Sequence, residues 1–199
     1  MMVKICGITN LEDALAAAEG GASALGFNFY PGSPRYITLG VAASILQALP
    51  PRVWKVGIFV HEPGEKVQAM AGALGLDVVQ FYGEQEPPAG IRLWRAVRVG
   101  PQFQLSQLKD PRAEAFLLDA ASGGLHGGTG KSFNWAVARG AKQKVILAGG
   151  LDAGNVRQAI REAQPWGVDA CSRLESAPGR KDHLKMLRFI QAALSEAPA

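Results

Sequence analysis

Hydrophobic and polar positions along the 199 residues alternate between two textures. Short β-branched or aromatic runs at residues 3–8, 24–30, 54–60, 78–83, 93–99, 115–120, 145–150 and 168–174 read as eight strands. Between them lie alanine- and leucine-rich stretches with helical spacing, at 11–19, 39–49, 63–74, 153–163 and 183–194. The connections after the fourth, fifth and sixth strands are rich in Pro, Gly or Gln and are expected to hold only short helices. Strand–helix alternation predicts parallel neighbours, because a parallel pair needs a crossover of roughly a dozen residues. Eight such units in a chain of this length predict a single (β/α)8 barrel over residues 1–199. An open doubly wound sheet is the alternative. Its usual Gly-x-Gly-x-x-Gly turn after the first strand is replaced here by Cys6-Gly7-Ile8-Thr9-Asn10. Pro50-Pro51 and Pro87-Pro88 punctuate loops, and residues 196–199 are expected to fray.

Composition narrows the class of function. With 48% hydrophobic and 19% charged residues the chain reads as globular rather than disordered. No apolar run reaches the roughly 18 residues that a membrane helix needs, and no charged N-terminal region leads into a long apolar stretch. A cytoplasmic location with no membrane partner is therefore expected. The two cysteines, Cys6 and Cys171, are too few for a disulfide framework, and His61, His126 and His183 lie far apart. No metal site is expected. The net charge of +4 comes without a basic stretch interleaved with aromatics, so nucleic acid is not an expected partner. A small anionic substrate suits the excess better, although ordinary surface lysines and arginines account for most of it.

In a barrel of this type the working side chains lie at the C-terminal ends of the strands and in the loops that follow. Strand one ends in Lys4-Ile5-Cys6-Gly7, and alternation puts Lys4 and Cys6 on one face. An ammonium one layer below the thiol would favour its thiolate, a base or nucleophile at the barrel mouth; otherwise Cys6 is a small buried hydrophobe. Strand six closes on Asp119, which either caps a turn or donates a proton, since partial burial raises a carboxyl pKa. The loop over residues 122–132 is not a Walker A motif, because Leu125 stands where the first glycine must be. Its glycines suit a lid over a ligand or a plain surface loop. Gly149-Gly150 after strand seven and Ser172-Arg173 after strand eight occupy the places where these barrels cup a phosphate. A Gly-Gly pair also simply makes a turn. Arg35, in the stiff Pro31-Gly32-Ser33-Pro34-Arg35-Tyr36 segment, either clamps a carboxylate or is a surface arginine. Met70, Met186 and the tryptophans read as packing.

These residues together carry a recognisable signature. Val3-Lys4-Ile5-Cys6-Gly7-Ile8-Thr9, then Gly26-Phe27 and Ser33-Pro34-Arg35-Tyr36, resemble the phosphoribosylanthranilate isomerases of tryptophan biosynthesis. The likeness runs on through Val56-Gly57-Ile58-Phe59-Val60, Leu117-Leu118-Asp119, Gly128-Thr129-Gly130-Lys131-Ser132-Phe133 and Leu147-Ala148-Gly149-Gly150-Leu151. It closes with Gly167-Val168-Asp169, then Glu175 before Pro178-Gly179 and Lys181-Asp182. The resemblance implies a barrel of the ribulose-phosphate-binding type and an Amadori-type isomerisation that uses no cofactor and no metal. It implies Asp119 as the acid that opens the ribose ring and Cys6 as the base that removes the C2′ proton. Arg35 would meet the anthranilate carboxylate, and Gly149 and Gly150 would form part of the phosphate cup. The expected working form is a monomer or homodimer.

Two positions depart from the family. Tyr82 stands in Gln80-Phe81-Tyr82-Gly83-Glu84 where histidine is common, and it does not titrate near neutral pH. Arg173 stands in Ser172-Arg173-Leu174-Glu175 where glycine is usual, and the expectation is that its charge grips the phosphate. Two other readings stay open. One is a neighbouring phosphate-binding barrel enzyme, such as indole-glycerol-phosphate synthase or the histidine-pathway isomerase. The other is an inactive barrel kept as a binding subunit.

Overall fold

Parallel pairing runs without a break around a closed ring of eight strands, β1 next to β8 as well as to β2. The computed structural model describes residues 1–83, 86–120 and 133–196. The strands are β1 (Met2–Cys6), β2 (Ala24–Asn28), β3 (Trp54–Phe59), β4 (Val78–Phe81), β5 (Arg92–Val99), β6 (Ala113–Ala120), β7 (Lys144–Leu147) and β8 (Gly167–Ala170). The helices are α1 (Leu11–Glu19), α2 (Leu39–Ala48), α3 (Gly64–Leu74), α4 (Val156–Ala163) and α5 (His183–Ser195). This is the (β/α)8 architecture that the alternation predicts. The thin connections also hold as expected: short 3-10 turns, Leu105–Gln107 and Trp135–Ala138, follow β5 and β6. Among the described residues no helix follows β4.

Local chemistry sets the starts of the helices. The Asn10 side chain accepts from the Asp13 N–H at 2.8 Å and opens α1, with Glu12 and Asp13 in its first turn. Thr38 and Asp182 cap α2 and α5 in the same way. Several predicted boundaries are corrected. β7 stops at Leu147 rather than 150 because Gly149 and Gly150 take left-handed φ of 81° and 64°, which ends the pleat. β8 stops at Ala170, and Ser172–Leu174 winds into a 3-10 turn instead of continuing to 174. α4 likewise starts at Val156 rather than 153, since Asp152 and Asn155 form a turn closed by hydrogen bonds between them and back to Gly150.

Both faces of the strands are buried, as a parallel sheet inside a ring of helices requires. Outward-facing Phe27, Phe59, Phe81, Phe116 and Leu118 are fully buried in the layer beneath the helices. Alanines 14, 17, 159 and 163 keep α1 and α4 close to the sheet. Inside the barrel the N-terminal end is plugged by Trp54, Trp94 and Trp166, whose ring centroids lie 5.9–6.1 Å apart. Arg92 lies 4.0 Å over Trp54 and Lys144 lies 4.9 Å over Trp166, and Glu114 accepts from both cations. Met2, Ala24, Val56, Val78, Leu117 and Ile146 fill the next layer. A floor this dry leaves the opposite, C-terminal end as the place for chemistry. Among the described residues no helix is long and apolar enough to cross a membrane.

Candidate active site

Above the apolar layers the barrel interior turns polar. Lys4 is fully buried, and its ammonium donates to Asp169 at 2.8 Å across the β1–β8 pairing that sets these two residues side by side. Burial works against this charge; Asp169, with help from Cys6, more than offsets it and holds the lysine above its ordinary range. One layer higher the mouth opens as a cleft at the end of the barrel where such folds hold their ligands. Its lining includes Cys6, Asn28, Arg35, Asp119, Gly149, Gly150, Ser172 and Arg173, so the acid, base, carboxylate and phosphate candidates named from the sequence come to one place.

Asp119 is only 5% exposed at the end of β6. Burial first, and the nearby charge of Asp169 second, push its carboxyl up to about 6, against the Ala120 N–H, Lys4 and Arg98. At that value a carboxyl still holds its proton in an appreciable share of molecules near neutrality, which makes it a workable acid.

Cys6 does not behave as the lysine below it suggests. The neighbouring Cys171 thiol and burial drive Cys6 well above the ordinary thiol range and override the pull of Lys4. Lys4 does favour a Cys6 thiolate, as expected, but the ammonium is shared with Asp169 and its pull is outweighed. Cys171 is instead lowered to about 7, by the Cys6 thiol beside it against burial, then by Lys181 and Arg35. Sequence reasoning gives Cys171 no role. The signal that would have found it is parity, because Lys4 pairs with Asp169 and two residues further along each strand stand Cys6 and Cys171.

Arg35 reaches the mouth from a loop fastened to the end of β2. Asn28 accepts from the Tyr30 N–H at 2.9 Å and donates to Ser33 Oγ at 3.1 Å, and Ser33 Oγ in turn accepts from the Arg35 N–H at 3.2 Å. The Arg35 guanidinium is not wholly open to a ligand. Its Nε and Nη2 edge makes a two-pronged pair with Glu175, at 3.0 and 2.7 Å. Glu175 is half-turned from water and also accepts from Lys181 at 3.1 Å; burial alone would raise its carboxyl, but these two cations hold it below the usual range. The Nη1 side of Arg35 is the part not engaged by Glu175.

The loops after β7 and β8 form the other end of the cleft. A Cβ on Gly149 would stand 2.8 Å from the Ala120 amide nitrogen, so glycine is required there by space as well as by φ. Ser172 and Arg173 begin the 3-10 turn after β8. Among the described residues Gln164 is the sole non-glycine with left-handed φ, so Arg173 carries no backbone strain where the family usually has glycine. Its Nη1 donates to Asp152 at 2.8 Å across the cleft rim. Tyr82 is buried in the wall, where burial, then Asp119 and Cys6, push its phenol well above its ordinary value. It acts as a neutral group. The glycine-rich segment 122–132 and Glu84 lie outside the described residues.

Comparison with known proteins adds an independent line. A family model described as N-(5'phosphoribosyl)anthranilate (PRA) isomerase matches residues 3–192. The N-(5'-phosphoribosyl)anthranilate isomerase of Pelobacter propionicus is 50% identical over 197 residues, covering 96% of this chain and 94% of that protein. The crystal structure of phosphoribosyl anthranilate isomerase from Thermotoga maritima superposes with a TM-score of 0.87 at 39% identity, covering 98% of this chain and 99% of that one. A second solved structure, of such an isomerase in complex with reduced 1-(o-carboxyphenylamino)-1-deoxyribulose 5-phosphate, superposes with a TM-score of 0.83 at 38% identity, covering 98% and 99%.

Proposed function

The chain belongs to the N-(5'-phosphoribosyl)anthranilate isomerase family of tryptophan biosynthesis, and on that premise we propose that Asp119 is its general acid and Cys6 its general base. The enzyme converts phosphoribosylanthranilate to the corresponding 1-deoxyribulose phosphate. In the reading favoured here Asp119 protonates the ribose ring oxygen, and the C1′–O bond breaks as the anilino nitrogen closes a C1′=N⁺ Schiff base. A thiolate at Cys6 then removes the C2′ proton. The C–H pair becomes the C1′=C2′ bond of an enolamine, the nitrogen recovers its lone pair, and tautomerisation completes the ketose. Every step is a proton transfer that side chains can perform.

The observation that carries this reading is that a carboxyl poised at about 6 lines the same mouth as the Cys6 thiol. Arg35 takes the anthranilate carboxylate on its open Nη1 side. The phosphate lies at the other end against Gly149, Gly150 and Ser172, with Arg173 swinging part of its charge from Asp152 to the incoming anion. The bound ligand of the related solved structure, itself a carboxyphenylamino sugar phosphate, supports this division of the cleft. All these groups come from the strand ends and loops of one barrel, which supports residues 1–199 acting as one catalytic unit.

The test is consumption of phosphoribosylanthranilate, followed by its fluorescence. Cys6→Ala and Asp119→Asn are each expected to lower kcat by about 10²- to 10⁴-fold with KM changed far less, because acid and base act mainly in the transition state. Near-normal turnover in either variant would remove that residue from its role. Arg173→Gly is expected to raise KM severalfold; an unchanged KM takes Arg173 out of the phosphate site.

A further inference from the structure

Cys171 lines the same mouth and has no task in the acid and base steps above. Its position is not incidental. β1 and β8 pair Ile5 with Ala170, so Cys6 and Cys171, one residue further along each strand, come face to face. Both side chains line the cleft, and Cys171 Sγ also lies 3.9 Å from Glu175 Oε1. Gly7 makes the room: a Cβ there would stand 2.8 Å from Cys171 Sγ. A Cβ on Gly26 would stand 3.0 Å from Lys4 Nζ and 3.1 Å from Cys6 Sγ, so the ammonium and the first thiol crowd one point. On the far side Lys181 Nζ lies 3.8 Å from Cys171 Sγ, with its side chain fully buried.

We propose that Cys6 and Cys171 form a thiol dyad in which one proton is shared between the two sulfurs, Cys171 taking it up as Cys6 turns to the substrate. The inference rests on Cys6 being the base. Cys171 is then a positioning residue that acts through Cys6. In the resting pair Cys6 S–H donates to a Cys171 thiolate. Transfer of that proton leaves Cys6 as thiolate and Cys171 as thiol, with the pair's charge unchanged. Cys6 then forms its S–H bond with the C2′ proton, the C–H electrons pass into the enolamine, and both sulfurs end protonated. Loss of one proton from the pair to solvent resets it. No electron leaves or enters the protein.

The charge around the pair explains why two sulfurs serve better than one. Facing it are Lys4 from β1, Asp169 from β8, Asp119 from β6 and Tyr82 beyond β4. Arg35 comes from the loop after β2, and Glu175 and Lys181 from the hairpin after β8 (Glu175–Ala177 with Arg180–Lys181). Lys4 is engaged by Asp169, so a lone Cys6 thiolate would be poorly compensated in its buried layer. Spread over two sulfurs, the negative charge meets Lys4 on one side and Lys181 with Arg35 on the other. The lowered value of Cys171, about 7, and the raised one of Cys6 are two faces of this shared proton.

Two measurements test the dyad. The chain holds only these two cysteines, so thiolate absorbance in the ultraviolet, once the alkaline phenolate absorbance of the three tyrosines is subtracted through its separate longer-wavelength band, has no other source. One thiolate is expected to form near neutral pH and the second only far above it; joint ionisation of both, or none near neutrality, overturns the proposal. In Cys171→Ala the acid-side limb of kcat/KM is expected to move upward by about one pH unit. Near pH 7 kcat/KM then falls about tenfold and recovers at higher pH, with KM little changed. A folded Cys171→Ala enzyme with an unmoved limb overturns the dyad and leaves the role of Cys6 intact. Full turnover in Cys6→Ser overturns instead the assignment of Cys6 as base. The two failures are thus distinguishable.

Discussion

Replacing Asp119 by asparagine should cost the enzyme its acid and make the fold more stable. In the folded chain the carboxyl is held at about 6 against an ordinary 3.8, mainly by burial. An acid whose folded pKa is raised binds its proton more tightly in the folded than in the unfolded chain, so its ionisation works against folding. That cost is absent well below 3.8, grows as pH rises between the two values, and is complete above about 6. At about 1.4 kcal/mol for each tenfold in acidity, the gap corresponds to roughly 3 kcal/mol near pH 8 and only about 0.5 kcal/mol near pH 4. Asparagine keeps an oxygen for the Ala120 N–H but brings an amide N–H that must find a partner, at about 1 kcal/mol. The net expectation is a gain of about 2 kcal/mol near pH 8 that vanishes near pH 4. Urea denaturation of wild type and variant at both pH values measures it. Equal stability near pH 8, or a gain that does not shrink on acidification, would refute the account of a desolvated, catalytically poised carboxyl.

Two further substitutions probe the scaffold beneath the site. Lys4→Met leaves the Asp169 carboxylate buried without its cation, and a loss of about 3–5 kcal/mol is expected at neutral pH. Denaturant titrations measure the loss, and one under about 1 kcal/mol would refute the buried pairing. Gly149→Ala forces a side chain into left-handed φ and within 2.8 Å of the Ala120 nitrogen. It is expected to cost about 1–3 kcal/mol and to raise KM more than it lowers kcat, and steady-state kinetics with thermal melting would test both.

Much of the molecule is legible along the chain, because the barrel repeats one local rule. Apolar period-two runs and alanine- and leucine-rich helical stretches place eight strands and five helices to within a few residues, and Asn10, Thr38 and Asp182 cap three of those helices. Strand ends then mark Cys6, Asp119, Gly149, Gly150, Ser172 and Arg173 as one mouth, and the structure brings them together. What the chain could not display is how these groups share charge. Arg35 and Glu175 are 140 residues apart and Lys4 and Asp169 are 165 apart, so neither pair exists until the ring closes. Closure spends the Lys4 charge on Asp169, turns part of Arg35 toward Glu175, and sets the second cysteine against the first. Residue type and spacing determined which side chains reach the mouth. Burial and the pairing of β1 with β8 decided which of them hold a proton there, since a pKa depends on the neighbours that tertiary packing supplies.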